Sequence, residues 1–260
     1  MTAAPQFYDT HAHFDCTPTT IVPIMQRAFD AGVQHLMAVG GSSCLNAGAC
    51  AVAQIYVEQT SLALGFDRDQ TSCLTPEQAS DTLRQLALKV RLSAIGEIGL
   101  DFHYHPETRE AQIALFKAQL KLADEMGLPV IIHTRDAEED TLKVLDAIPS
   151  SAKKLRGVVH CFTGDKNFAA QLLERDLAIS FSGIVTFRNA EMLRESAKFV
   201  PEERLLIETD TPFLTPVPMR GQPNEPAFVS YVAACLAKVR GVTLEHIAAT
   251  TTQNARRLFT

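Results

Sequence analysis

Short apolar runs alternate along the chain with longer segments in which apolar residues recur at helical spacing. The short runs contain many β-branched residues, which is typical of buried strands. Eight strands are predicted, over residues 7–10, 35–39, 62–65, 94–98, 129–132, 157–160, 178–181 and 205–208. Helices are predicted over residues 21–31, 76–90, 109–126, 141–147, 166–175 and 190–199, and two more over 227–239 and 244–259 close the chain.

This alternation predicts the α/β class and, within it, a (β/α)8 TIM barrel of parallel strands. An open doubly wound sheet is the alternative, but no Gly-x-Gly-x-x-Gly motif follows the first predicted strand. The chain has 260 residues, 46% hydrophobic and 21% charged, which suits one barrel with a large core. No linker or low-complexity tract divides it, so we predict a single domain over residues 1–260.

The cysteines and the net charge bear on compartment and partners. Six cysteines are scattered without a Cys-x-x-Cys pair, which is typical of free thiols in a reducing compartment. Because residues 1–15 show no signal-peptide pattern and no apolar stretch is long enough to cross a bilayer, we expect a cytoplasmic protein with no membrane partner. A monomer is the default expectation. The net charge of −6 disfavours a large nucleic-acid footprint, although bound metal ions would add positive charge at a small site.

Titratable residues lie at the carboxyl ends of several predicted strands, the end of a barrel where active sites are built. His11 and His13 are two positions apart in an extended segment, so their imidazoles point the same way and can bind one ion. Glu97 stands inside an apolar run, where an unpaired charge is costly. Taken singly, the histidines could be exposed loop residues, and Glu97 could belong to a buried ion pair with an arginine.

Three more strands add to this set. His133 and His160 each follow a β-branched run, and Asp210 lies just beyond the eighth strand. Each histidine alone is more often a satisfied core residue, but four histidines and two carboxylates from five strands favour zinc, manganese, iron or cobalt. Six ligands are too many for one catalytic zinc. The sequence therefore predicts two divalent ions about 3.5–4 Å apart, with Glu97 as the bridge.

A pair of ions at this position predicts a hydrolase. Water held by two cations loses a proton near neutral pH and becomes a nucleophile, and the same ions stabilise charge in the transition state. Glu97 and Asp210 are the predicted catalytic residues, with Asp210 placed to accept the proton or to steer the water. Cys161 directly follows His160, so its side chain should point to the opposite face, toward the helices.

The remaining histidines are predicted to lie outside the metal set. His35 begins a strand and His246 lies in a late helix, so both are expected to be structural or exposed. His103 and His105 form a second His-x-His pair, next to Pro106 in the loop after the fourth strand. We expect them to contact substrate rather than to bind a third metal ion.

Together these motifs resemble those of the TatD family of metal-dependent deoxyribonucleases, which are amidohydrolase-like barrels. The matching stretches are DTHAHFD at residues 9–15, GEIGLD at 96–101, LPVIIHTR at 128–135, HCFTG at 160–164, ETDTPFL at 208–214, the segment 216–228 and NARRLF at 254–259. The resemblance runs from residue 7 to residue 259, which is nearly the whole chain.

The resemblance implies a two-metal site that hydrolyses DNA phosphodiester bonds, often from a 3′ end. One ion would take His11, His13, Glu97 and Asp210, and the other would take Glu97, His133 and His160. The implied ions are zinc, magnesium or manganese. The implied partner is DNA, as single strands or 3′ ends, cut in the manner of a 3′-5′ exonuclease.

Two departures from the family pattern lie near the active-site mouth. The family's Gly-x-His-Pro element at the end of strand three is replaced by Gly65-Phe66-Asp67-Arg68, which spares the six ligands but affects substrate preference. Met219 stands where the family usually has an aromatic residue, and methionine stacks less well on a base.

Three residues are candidates for substrate binding. Arg135 lies two positions after His133, should point the same way, and suits a bidentate phosphate contact. Arg220 and Asn224 lie in the proline-rich loop after the eighth strand. A salt bridge between Arg220 and Glu225 that shapes this loop is the alternative.

Two other functions fit the same residues. The first is a hydrolase of the same fold that acts on a small-molecule amide, lactone or phosphate ester, since fold does not fix substrate. The second is a non-catalytic, metal-bound scaffold, which is disfavoured because all six ligands are present.

Overall fold

All eight predicted strands are present in the structure, a computed structural model that describes residues 5–15, 17–148 and 155–259. They are β1 (Phe7–Ala12), β2 (Val33–Gly41), β3 (Thr60–Phe66), β4 (Ala94–Asp101), β5 (Val130–Arg135), β6 (Gly157–Val159), β7 (Leu177–Phe181) and β8 (Leu205–Ile207). Several are longer than predicted at the carboxyl end, because polar residues such as Asp101 and Arg135 still belong to the ladder. His160 and Glu208 instead lie just past their strands.

The strands form one parallel sheet in sequence order, from β1 to β8. The ring closes where Ala12 pairs in parallel with Thr211. Two backbone hydrogen bonds support this closure, from His13 N to Thr211 O at 3.0 Å and from Asp210 N to His11 O at 2.9 Å. The predicted TIM barrel is confirmed, and the closing seam passes directly through three of the candidate ligands, His11, His13 and Asp210.

Helices alternate with the strands. They are α1 (Pro18–Asp30), α2 (Ser43–Ile55), α3 (Pro76–Ala87), α4 (Arg109–Met126), α5 (Glu138–Ala147), α6 (Lys166–Glu174), α7 (Glu191–Phe199), α8 (Val229–Arg240) and α9 (Leu244–Phe259). Several helix ends are specified by capping residues in the local sequence. A capping box of Thr75 and Gln78 begins α3, and Gly127 in the left-handed region (φ 66°) ends α4.

The sequence prediction did not include α2. Its residues are mostly small and apolar, so the contrast between its faces is low and no amphipathic stripe marks it. Ser42 caps the amino end of the helix, and its hydroxyl accepts a hydrogen bond from Leu45 N at 3.2 Å. The face of α2 that packs on β2 and β3 includes alanine and glycine, which give a weaker apolar signal than large hydrophobic residues would.

Two apolar layers hold the barrel together. The inner layer takes at least one buried residue from every strand, among them Tyr8, Met37 and Ile131, and ends on Phe259 of α9. The ring of Tyr8 lies 6.3 Å from that of Phe259, so α9 packs across the amino-terminal end of the strands. The outer layer lies between strands and helices. The opposite, carboxyl-terminal end is therefore the one left to polar residues.

A helix that crosses a bilayer must be both long and apolar. Within the described residues, no single helix is both long enough and apolar enough. The segment Pro226–Arg240 and α9 meet the criteria only as a pair, bent by 111° at the break between them.

Candidate metal centre

Glu97 lies at the centre of the polar end of the barrel, and its two carboxylate oxygens face different histidines. Oε2 is 3.5 Å from His11 Nε2 and 3.4 Å from His13 Nε2. Oε1 is 3.2 Å from His133 Nδ1 and 3.4 Å from His160 Nε2. One carboxylate thus links two pairs of imidazoles, as a bridging ligand between two ions would.

Asp210 completes the side formed by the first histidine pair. Its Oδ1 lies 3.8 Å from His11 Nε2 and 3.7 Å from His13 Nε2. The backbone at Asp210 is left-handed (φ 58°), which turns the chain after β8 toward the barrel mouth. All six predicted ligands are therefore brought together, and they include two groups of three whose ligand atoms all lie within 4.8 Å of one another: His11, His13, Asp210 and His11, Glu97, His160.

Tight backbone packing sets the position of His133. At Gly99 of β4 the backbone has φ +142°, and a Cβ there would lie only 2.0 Å from the carbonyl oxygen of His133. Glycine is the residue that permits both the dihedral angle and the close approach. The pairing of Gly99 with His133 brings the end of β5 beside Glu97 on β4.

A second layer of acceptors orients the imidazoles. His13 Nδ1 donates to Val39 O at 3.0 Å, because a carbonyl oxygen can only accept. His133 Nε2 lies 3.1 Å from Asp101 Oδ2, and His160 Nδ1 lies 3.3 Å from Glu208 Oε1. Each of these contacts leaves the other ring nitrogen directed at Glu97. Carboxylate and carbonyl partners of this kind fix the tautomer of a metal-binding histidine.

The charges in the cluster are strongly coupled. Burial alone would raise the pKa of Glu97, but the histidines around it, His160 foremost, hold that pKa well below its usual value. Burial would likewise lower the pKa of His160, but Glu97 and Glu208 raise it well above its usual value. Burial and the neighbouring His160 lower the pKa of His11 to about 3, so this imidazole is neutral.

These atoms fit a metal ion. The Nε2 atoms of His11 and His13 lie 3.1 Å apart, and each neutral ring with its proton on Nδ1 directs a lone pair into the cluster. Glu97 Oε2 lies 3.4 Å from His13 Nε2, so these atoms converge on a position that a cation, either a proton or a metal ion, would stabilise. Imidazole nitrogens with shared carboxylates are donors that zinc and manganese accept. His11 Nδ1 has no hydrogen-bond partner among the described residues.

Comparison with known proteins assigns the chain to a family. A family model described as TatD related DNase matches residues 8–260. The chain belongs to this family. The metal-dependent hydrolase YabD of Bacillus subtilis is 38% identical over 254 residues, covering 97% of this chain and 98% of YabD. A protein named 3'-5' ssDNA/RNA exonuclease TatD, from Erwinia tasmaniensis, is 36% identical over 241 residues, covering 91% of this chain and 92% of its own length.

Similarity to a solved structure supports the same family assignment. The crystal structure of YJJV, a TatD homologue of Escherichia coli K12, superposes with a TM-score of 0.83 at 30% identity and covers 97% of each chain. This TatD-family protein is therefore a metal-dependent hydrolase built on a TIM barrel.

A cleft of about 750 Å³ opens onto the cluster in this TatD-family barrel. Two exposed aromatic residues line it, Tyr104 and Phe213, each with 60% of its surface accessible. Arg135 also lines it, and its guanidinium lies 4.9 Å from the centre of the Tyr104 ring. The predicted position of Arg135, beside His133 at the cleft, agrees with the structure.

The two other predicted substrate residues lie elsewhere. Asn224 is buried, and its Nδ2 donates to Thr209 O at 2.8 Å while its Oδ1 accepts from Glu225 N. Arg220 donates to Thr215 O at 3.0 Å and lies 4.3 Å from the centre of the Phe187 ring. Neither is among the residues that line the cleft. The prediction that they contact substrate does not fit these positions, because their polar atoms already brace the proline-rich loop.

The alternative for that loop is also corrected. Glu225 pairs with Arg27 of α1 at 2.6 Å rather than with Arg220. The second His-x-His pair joins no metal cluster among the described residues, since His103 Nδ1 lies 2.9 Å from Asp136 Oδ2 and His105 Nδ1 lies 3.1 Å from Glu107 Oε1. That these histidines bind no third ion stays a prediction.

The predictions for His35 and His246 agree with the structure, whereas the one for Cys161 does not. His35 Nε2 lies 3.0 Å from Ser61 Oγ, and His246 Nε2 pairs with Glu202 at the surface, so both are outside the site as predicted. Cys161 was expected to face the helices, but it lines the cleft. Its left-handed backbone (φ 45°) breaks the strand alternation on which that expectation rested.

Sequence reasoning did not single out Asp101, Glu208 or Arg68 as members of the site. Asp101 and Glu208 lay inside the family motifs, but no spacing rule showed which histidine each would hold. Arg68 lay in the stretch that departs from the family pattern, and that departure was the available signal. Its Nη1 is 3.3 Å from Glu97 Oε1, so the buried ion pair considered as an alternative for Glu97 is present beside the histidines.

Proposed function

We propose that this protein is a deoxyribonuclease that hydrolyses phosphodiester bonds at the 3′ ends of single-stranded DNA, using two divalent ions. The observation that carries the proposal is Glu97, whose two oxygens each face a separate histidine pair at the floor of an open cleft. The relative named 3'-5' ssDNA/RNA exonuclease TatD supports the choice of substrate.

The proposed ligands form two sets, one for each ion, and Glu97 belongs to both. His11, His13 and Asp210 would hold one ion with Oε2, and His133 and His160 would hold the other with Oε1. The donor set suits zinc or manganese, and magnesium is the third candidate. When bound, such ions act as Lewis acids that lower the pKa of water and stabilise charge on a phosphate.

Asp210 is the proposed proton acceptor. Burial raises the pKa of Asp210 to about 7, whereas a bound cation would lower it, so the carboxylate would be ionised near neutral pH and able to accept a proton from the attacking water. Its Oδ1 lies within 3.8 Å of the first histidine pair, and Asp210 lines the cleft through which water enters. General-base catalysis of this kind contributes roughly 10²–10⁴-fold to a rate.

Arg135 and the two exposed aromatic residues are the proposed substrate contacts. The Arg135 guanidinium, held over Tyr104, can bind a phosphate with two parallel hydrogen bonds. Tyr104 and Phe213 present ring faces at the cleft on which unpaired bases can stack. Few cationic side chains line the cleft, so the contacts fit the end of a strand better than a long duplex.

Turnover of a 3′-labelled single-stranded oligonucleotide tests this function. The purified protein with Mg²⁺ or Mn²⁺ should trim the strand from the labelled end, and Asp210→Asn should lower kcat by roughly 10²-fold or more. Asp30→Asn is the matched control, because Asp30 is an exposed aspartate at the end of α1. If Asp210→Asn matches wild type, Asp210 is not the proton acceptor. If wild type releases no nucleotide from either end, the nuclease proposal is wrong.

A small-molecule ester or amide is the second candidate substrate. The observation in its favour is the acidic rim of the cleft, where Asp69, Asp136 and Glu138 repel a polyanion. Nucleic-acid binding weakens steeply with added salt, whereas binding of a neutral small substrate does not. A KM that is insensitive to salt, together with turnover of a lactone or simple phosphate ester, would favour this second candidate.

A further inference from the structure

Arg68 is held at the mouth of the barrel by the turn that follows β3. The Asp67 side chain accepts a hydrogen bond from Asp69 N at 2.9 Å, and Asp67 N donates to Gly41 O at 2.7 Å. These contacts fix the start of the 3-10 turn Arg68–Ser72, so the Arg68 side chain begins beside the end of β4. Only 21% of that side chain is accessible to solvent.

The guanidinium of Arg68 contacts one side of the metal cluster only. Nη1 lies 3.3 Å from Glu97 Oε1, the oxygen that also faces His133 and His160. Nε lies 3.9 Å from Asp101 Oδ2, the carboxylate that holds the far nitrogen of His133. The ion pairs found for Glu97 Oε2 in the described part of the chain involve only His11 and His13. The two halves of the cluster therefore differ in fixed positive charge.

We propose that Arg68 weakens divalent-cation binding at the position formed by Glu97 Oε1, His133 and His160, so that the two metal positions differ widely in affinity. This inference rests on the division of ligands in the proposed function. A guanidinium within hydrogen-bond distance of Oε1 occupies a lone pair that an ion would need, and it repels a second cation across a short, poorly solvated distance. In the described part of the chain, the position formed by His11, His13 and Asp210 has no such competitor.

Asp69 offers Arg68 a second carboxylate partner if an ion takes its place at Glu97 Oε1. Its Nε lies 3.6 Å from Asp69 Oδ2, and the Asp69 side chain is about half exposed at the rim. A rotation toward Asp69 would free Oε1 without leaving the guanidinium unpaired. The energetic difference between these two placements then reduces the affinity of the second ion without preventing its binding.

Manganese titration without nucleic acid tests the proposal. Protein stripped with chelator and dialysed is titrated with Mn²⁺, and free Mn²⁺ is followed by its electron paramagnetic resonance signal. Wild type should show two classes of site whose Kd values differ at least about tenfold. Arg68→Met should tighten the weak class by about tenfold or more, which is about 1.4 kcal/mol, and leave the tight class unchanged. His133→Ala should remove the weak class, and His13→Ala the tight class.

Arg135→Met is the matched control, since it removes the same charge from the same cleft while Arg135 stacks on Tyr104 and makes no ion pair with Glu97 among the contacts described. Arg68→Gln provides a second neutral variant if Arg68→Met does not fold by circular dichroism. An unchanged weak class in both Arg68 variants, or equal tightening in Arg135→Met, would overturn the proposal. A single site that survives His133→Ala would overturn the ligand division itself, whereas a failure to cut DNA would leave the titration result intact.

Discussion

Glu208 offers a direct test of how the barrel prepares a histidine for metal binding. Its carboxylate is fully buried, accepts a hydrogen bond from Cys161 N at 2.6 Å, and lies 3.3 Å from His160 Nδ1. The charge on Glu208 helps to raise the pKa of His160, and it makes the opposite nitrogen a better donor to a metal. Replacing Glu208 by Gln keeps an acceptor of the same size but removes the charge, whereas Glu208→Ala removes both.

The size of the effect follows from the distance and the burial. Neither side chain is more than 3% exposed, so the charge of Glu208 is poorly screened. Loss of an outer partner of a ligating histidine typically costs 10–100-fold in metal affinity, or about 1.4–2.8 kcal/mol. We expect Glu208→Gln near the lower end of that range. We expect Glu208→Ala near the upper end, because the imidazole then loses its orientation as well.

Isothermal titration of chelator-stripped protein with Zn²⁺ or Mn²⁺ measures this loss. Glu202→Gln is the matched control: Glu202 also pairs with a histidine, His246, at 3.1 Å, but at the surface, where the pair is worth at most about 1 kcal/mol. It should leave metal affinity unchanged. If Glu208→Gln and Glu208→Ala bind metal as tightly as Glu202→Gln, the proposed role of Glu208 in preparing His160 is refuted.

The remaining predictions concern substrate and metal. Tyr104→Ala and Phe213→Ala should each raise KM for single-stranded DNA by roughly 5–150-fold, which corresponds to about 1–3 kcal/mol of lost stacking. Phe199 is an exposed aromatic residue on α7, away from the cleft, and Phe199→Ala should leave KM unchanged. Equal KM values in all three variants would contradict the stacking role. Arg135→Met should raise KM or lower kcat with unchanged metal content, and a loss of metal would make Arg135 a support of the site instead. Adding chelator should lower Tm by several degrees, since a ligand at 100 times its Kd stabilises by about 2.7 kcal/mol; an unchanged Tm would contradict binding of an ion to the folded state.

The sequence was most informative where a residue's position in a predicted strand determines its location in the barrel. In a barrel the carboxyl ends of all strands meet at one mouth, so His133, His160 and Asp210 could be placed beside His11 and Glu97 from strand ends alone. The same rule located Arg135 at the cleft. None of these assignments needed side-chain detail.

Contacts that depend on loop geometry could not be predicted in this way. The braced positions of Arg220 and Asn224 follow from hydrogen bonds within the proline-rich loop, which no periodicity encodes. The contact of Arg68 with Glu97 depends on a turn set by Asp67, and the orientation of Cys161 depends on a left-handed residue just past a strand. Helix α2 lacked an amphipathic signal because small residues pack it closely on the sheet.

The central claim is that Glu97 joins two metal positions, and the metal content and turnover of Glu97→Ala test it most directly. Elemental analysis of wild type loaded with excess Zn²⁺ or Mn²⁺ should give about two ions per chain. Glu97→Ala, folded by circular dichroism, should hold one ion or none and should not release nucleotide from a 3′-labelled strand. A Glu97→Ala protein that still binds two ions and turns over near the wild-type rate would contradict the account.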